Sequence, residues 1–79
     1  MQSKGQYRVG TSFNPSADDT VAQIKAQAAA LIDLIDSIKI PEWPSARSGE
    51  IGRLKALAQT EIEAGAMWAV KAATKPEME

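Results

Sequence analysis

Five side chains in this sequence have the chemistry to grip an anionic, aromatic ligand: Tyr7 and Arg8 side by side near the N-terminus, Lys25, and Arg53 with Thr60. A phenol ring in a polar, glycine-flanked stretch offers a flat face to a nucleobase, a contact worth about 1–3 kcal/mol per stacked base, and the adjacent guanidinium is free for phosphate. An isolated tyrosine more often pins its segment onto a helix as a minor core residue, and on the residues alone both readings stand. Lys25 follows Ile24 on an apolar helical stripe, so its stem can lie along apolar surface with the ammonium at the rim of a neighbouring subunit. The plainer reading is an ordinary flanking charge. Arg53 and Thr60, seven residues apart, share one helix face and can meet phosphate and ribose or base groups, or be a solvated arginine and a threonine bonded to its own helix.

Other chemistries are poorly served. Histidine and cysteine are both absent, which removes imidazole acid/base catalysis, thiolate nucleophiles, disulfides and the common zinc sites. Glu61 and Glu63 point to different helix faces and make a poor acid/base pair; they read as surface or interface polar groups. Asp18-Asp19 and Asp33 with Asp36 have neither an EF-hand loop nor a histidine partner, so no metal and no cofactor is expected. The net charge is −1, with both signs interspersed, so no broad basic field for a DNA or RNA polymer exists. The polar Met1-Gln-Ser-Lys-Gly-Gln start precedes no apolar run long enough for a signal peptide or a membrane span. The expectation is a soluble cytoplasmic binding protein, not an enzyme.

The elements that must position these groups are helical. Residues 1–13, with Gly5 and Gly10 around Tyr7, Val9 and Phe13, read as an extended or turn-rich arm. Phe13 reads as a staple on the first turn of the helix that follows. Asn14 or Ser16 can cap that helix, which the sequence places over 15–38, and Asp18 and Asp19 suit its N-terminal dipole. Val21, Ile24, Ala28, Leu31, Ile35 and Ile38 form its apolar seam, broadened by Ile32 and Leu34. Pro41 and Pro44 enforce a connection over 39–47. Ser45 or Ser48 can cap a second helix, placed over 48–74 and carrying Ile51, Leu54, Leu57, Ala58, Ile62, Ala66, Ala69, Val70 and Ala73. The fold class is all-α: an antiparallel helical hairpin in a single domain.

A chain of 79 residues has too small a core to be comfortable without a staple, and self-association is the one left open. Gly65 sits mid-helix at a cost of about 1 kcal/mol, so something must approach that backbone closely. Met67 and Trp68 beside it are large anchors among small residues, and the three together read as an assembly surface.

The Tyr7-Arg8 pair, the Ile24-Lys25 pair and the alanine-rich segment from Ala56 to Thr74 together resemble the phage family of small helical-hairpin sponges that sequester the cyclic-nucleotide messengers of CBASS, with Thoeris anti-defence hairpins as relatives. The resemblance spans about Tyr7 to Pro76. It implies a homohexamer in the cytoplasm of an infected bacterium, with Tyr7 stacking on a base and Lys25 meeting a phosphate of a cyclic dinucleotide. Arg53 and Thr60 match positions that one subgroup uses for cyclic trinucleotides. The alternatives are a sponge for glycocyclic ADP-ribose and a purely structural helical assembly module.

Overall fold

The computed structural model describes residues 1–78, and Glu79 lies outside them. Three helices follow one another: α1 (Lys4–Val9), α2 (Asp19–Asp36) and α3 (Ala46–Ala73). There is no strand among the described residues. The long helices α2 and α3 make the hairpin, and α1 folds back across α2 to touch both. The molecule measures 56 × 29 × 12 Å, a slab so thin that each helix keeps a wide face outside.

Residues 4–9 are helical where an extended arm was expected. A six-residue helix is marginal by itself, because nucleation fixes several residues for one hydrogen bond. Local caps and docking stabilise this one. Ser3 and Gln6 form a reciprocal capping box, and Gly10 ends the helix in the left-handed conformation at φ 73°, where its N–H donates back to the Gln6 carbonyl. Gly5 lies against α2 so closely that a Cβ there would stand 2.1 Å from the Ala29 carbonyl oxygen. Its N–H donates to Asp33 Oδ1 at 2.7 Å, so a carboxylate from α2 serves an unpaired donor at the start of α1.

The first long helix begins later than 15. Asn14 to Ala17 make a turn, with Ala17 at φ 52° and its N–H donating to the Asn14 carbonyl. Asp18 is the cap, accepting from the N–H groups of Thr20 and Val21. At the far end Lys55 reaches from α3 to donate to the carbonyls of Asp36 and Ile38, placing a cation at a helix C-terminus. The second long helix starts at Ala46, earlier than 48. Both candidate serines contribute: Ser45 caps, and Ser48 closes the box from the third position.

The buried face of α2 is rotated from the expected seam. Val21, Lys25, Ala29 and Ile32 are buried, at spacings of four, four and three, which is a helical stripe. Ile24, Ala28 and Ile35 are half-buried, while Leu31, Leu34 and Ile38 are exposed. The cause is α1, which covers one side of α2 while α3 covers another, so the central stripe lies between them. Among the described residues, the buried apolar core consists of Val21, Ala29, Ile32 and Ala66. Beside it sits a polar knot joining all three helices. Gln59 is 2 % exposed; its Nε2 donates to the Ile32 carbonyl at 3.1 Å and to Asp36 Oδ1 at 3.3 Å. Its Oε1 accepts from Lys4 Nζ at 3.0 Å, and Lys4 also pairs with Asp36 at 3.0 Å. The Lys4 ammonium first, then the Gln59 amide, hold the Asp36 carboxyl below the usual carboxylate range.

Candidate functional site

Where α1 and the start of α2 meet the C-terminal half of α3, the surface opens into a cavity of about 290 Å³. Its walls carry four charged side chains, Arg8, Lys25, Glu63 and Lys71, around an apolar floor of Val9, Ala66, Met67 and Val70. Such a mixture, apolar lining with a few convergent polar groups, is the usual make-up of a small-molecule site. Three cations against one carboxylate favour an anion.

Each charged group is held by an internal contact. Lys25 is only 9 % exposed, and its ammonium donates to the Gly10 carbonyl at 3.1 Å and to the Phe13 carbonyl, closing the loop between α1 and α2. Its Nζ also lies 5.4 Å from the centre of the Phe13 ring, within cation–π range. Lys25 is therefore a buried tie, not a flanking charge. An ammonium has three protons, and the two carbonyls take two of them. Phe13 is exposed, and its ring meets the ammonium, not the apolar staple contact expected of it. Arg8 Nε donates to Glu63 Oε1 at 2.7 Å. Lys71 Nζ sits 5.5 Å from the centre of the Trp68 ring.

Tyr7 precedes Arg8 on α1, and consecutive helical residues point about 100° apart. Arg8 consequently turns to α3 while Tyr7 stays 77 % exposed. That rules out the core-pinning role and leaves the ring open to a partner. Arg53 and Thr60 are exposed on α3. Arg53 makes a two-pronged pair with Glu50, Nε to Oε1 at 2.5 Å and Nη2 to Oε2 at 3.1 Å. The pairing lowers the Glu50 carboxyl and raises the Arg53 guanidinium relative to their ordinary values. Glu63, the first residue of α3 that lines the cavity, lies ten positions beyond Arg53, about 15 Å along the helix at 1.5 Å per residue, and less than one turn beyond Thr60. The cavity brings Arg8 and Lys25 together, and neither Arg53 nor Thr60 lines it. Trp68 is 68 % exposed and Met67 similarly so. Gly65 is exposed, with nothing within 4 Å of the place a Cβ would occupy; within one chain, the close approach belongs to Gly5 instead.

Glu63 and Lys71 are the site residues that sequence reasoning missed. Glu63 stands 55 positions from Arg8 and gives no local signal. Lys71, three positions after Trp68, was legible as an i, i+3 neighbour. Among the described residues no group of three or more acidic side chains could hold a metal ion, and no helix is long and apolar enough to cross a membrane.

The fold is a small helical hairpin with a charged cavity where its three helices meet. The chain belongs to the Acb2/Tad1 hairpin-domain family, whose model matches residues 4–74, the family of anti-CBASS and anti-Thoeris sponges. That match includes α1, all of the hairpin and every site residue named above. Neither the curated proteins nor the solved structures give a match.

Proposed function

We propose that this protein is a phage-encoded sponge that binds cyclic oligonucleotide messengers in the cytoplasm of the infected host and withholds them from CBASS effectors without cleaving them. The observation that carries this is the cavity between α1, α2 and α3, in which Arg8, Lys25 and Lys71 converge beside an exposed tyrosine on the same short helix. A cyclic dinucleotide presents two phosphates and two flat bases. The charge of the Lys25 ammonium and the outer nitrogens of Arg8 suit a phosphate, and Tyr7 suits a base.

The site is completed by self-association. Val21, Ala29, Ile32 and Ala66 are a meagre buried apolar core among the described residues, while Leu31, Leu34, Ile38, Leu54, Leu57, Met67 and Trp68 remain exposed. Copies of the chain cover these faces, and Gly65, Met67 and Trp68 form part of that contact, in a homohexamer as the family resemblance implies. A two-fold axis lets one set of Tyr7 and Lys25 meet each half of a cyclic dinucleotide. Arg53, far along α3 from the cavity, and Thr60, outside its lining, serve a separate site for cyclic trinucleotides. There Arg53 exchanges its Glu50 partner for a phosphate.

A thermal-shift screen with cyclic dinucleotides, cyclic trinucleotides and glycocyclic ADP-ribose tests the proposal. Stabilisation by a cyclic dinucleotide, with intact ligand recovered after heat denaturation, is the expected result. A response to glycocyclic ADP-ribose alone would move the protein to the Thoeris arm of the family, and no response to any of them would leave a structural assembly module.

A further inference from the structure

The cavity contains one anion among its three cations, and its position is unfavourable for a receptor of phosphates. Glu63 lines the cavity and takes the Nε donor of Arg8 at 2.7 Å, with both side chains largely shielded from solvent, at 26 % and 34 % exposure. A carboxylate and a phosphodiester oxygen present the same chemistry to a guanidinium: a localised negative charge with in-plane lone pairs. In the chain without ligand, Glu63 therefore occupies a donor that a phosphate would use, and it repels any phosphate that lodges beside it. Lys25 and Lys71 are engaged too, but by neutral partners, two carbonyls and an aromatic face. Those partners carry only partial negative charge, so they oppose an incoming anion less than a carboxylate does.

We infer that Glu63 is the affinity-setting residue of this site: it stands in for the ligand's phosphate on Arg8, so that only a ligand with enough negative charge to displace a carboxylate binds well. The inference rests on the reading of the cavity as a phosphate site. Neutral nucleosides cannot repay the broken ion pair and are excluded. A cyclic dinucleotide repays it, because the phosphate takes over Arg8 while Glu63 turns to solvent or to a donor on the base.

Titration calorimetry with cyclic di-AMP, cyclic di-GMP and cyclic GMP–AMP, and with adenosine as the uncharged control, tests this on the full chain. Glu63→Gln keeps a carbonyl oxygen for Arg8 and removes only the charge. It should tighten binding of whichever cyclic dinucleotide the parent holds by about five-fold, the scale of a partly exposed ion pair. It should also steepen the weakening by added salt, because the site gains one net positive charge. In an Arg8→Gln background the same substitution should give a distinctly smaller gain, since the competition runs through Arg8. Equal or weaker binding by Glu63→Gln, with the parent binding normally and both proteins melting alike, overturns the inference and leaves the cavity assignment standing. Should Glu63→Gln perturb the fold, Glu63→Ala replaces it, with the same two outcomes. Absence of binding by parent and variant together overturns the cavity assignment, and this inference with it.

Discussion

Replacing Lys25 by methionine should weaken the fold as well as ligand binding, and the structure gives the size of the loss. Methionine keeps most of the apolar stem and removes the ammonium, which donates to the carbonyls of Gly10 and Phe13 and faces the Phe13 ring. A hydrogen bond to a charged group contributes about 1.5–3 kcal/mol. Two such bonds set an upper limit near ~6 kcal/mol, but the loop is largely exposed at Ser12 and Phe13, so water satisfies the freed carbonyls in part. We expect a loss of about 2–3 kcal/mol, which for a domain of this size lowers Tm by roughly 8–24 °C. Urea denaturation of parent and variant at one fixed protein concentration measures it, so that any self-association bears on both alike. A loss below about 0.5 kcal/mol, the range of ordinary surface substitutions, would refute the account of Lys25 as the tie that closes the α1–α2 loop. This departs from what the family resemblance implies from sequence, namely that removing Lys25 would abolish or strongly weaken cyclic-dinucleotide binding and leave the oligomer intact.

Gly5→Ala should cost about 1–3 kcal/mol, because its Cβ meets the Ala29 carbonyl oxygen and backbone cannot give way; thermal melting, with amide exchange over residues 4–9, should register the loosening of α1. Acidification should destabilise the parent through Asp36: its folded carboxyl is depressed, so its contribution is complete above the ordinary carboxylate range and is lost as pH falls through the lowered value. Asp36→Asn should flatten the acid limb of a stability-versus-pH curve, and an unchanged limb would exclude the Lys4–Asp36–Gln59 knot as its source. Trp68→Ala should raise the dissociation constant of the assembly while sparing the helix content of the single chain, because Trp68 is exposed there; unchanged sedimentation would show that Trp68 lies outside the interface. Arg53→Ala should leave cyclic-dinucleotide affinity intact and remove any cyclic-trinucleotide binding, as calorimetry with the two ligand classes will distinguish.

The hairpin was legible because its signals are local. Apolar residues at helical spacing, Pro41 and Pro44 in the connection, and the Ser45 and Ser48 caps all lie within a few positions of what they specify. The capping box of Ser3 and Gln6 was legible too, but the glycines on either side of Tyr7 masked it, since a helix so short depends on docking that sequence does not display. The rotated face of α2 escaped for the same reason. Its seam, read for one partner, gave Leu31 and Ile38; a second partner in α1 moves burial to Lys25, Ala29 and Ile32. Gln59 reads as a surface residue of a helix, and only the arrival of Lys4 and Asp36 beside it gives its amide reason to be buried. Of the candidate site, Tyr7, Arg8 and Lys25 stood out through the family resemblance, their types alone leaving plainer readings open, whereas Glu63 becomes meaningful only once α3 lies against α1.

Above all, the protein is proposed to hold a cyclic nucleotide at the Arg8–Lys25–Lys71 cavity, with Tyr7 exposed on the same short helix as Arg8, and to release it unchanged. Calorimetric titration of a cyclic dinucleotide into the parent and into Tyr7→Ala, with the bound ligand then freed by heat and identified by mass spectrometry, tests it most directly. Tyr7 is exposed and adds little to the core, so the variant should fold and assemble as the parent does. One lost stack at each half of a two-fold site amounts to about 2–6 kcal/mol, a factor of about 30 to more than 10,000 in affinity. The account predicts that loss together with intact ligand from the parent; equal affinity for parent and variant, or recovery of a linearised product, would contradict it.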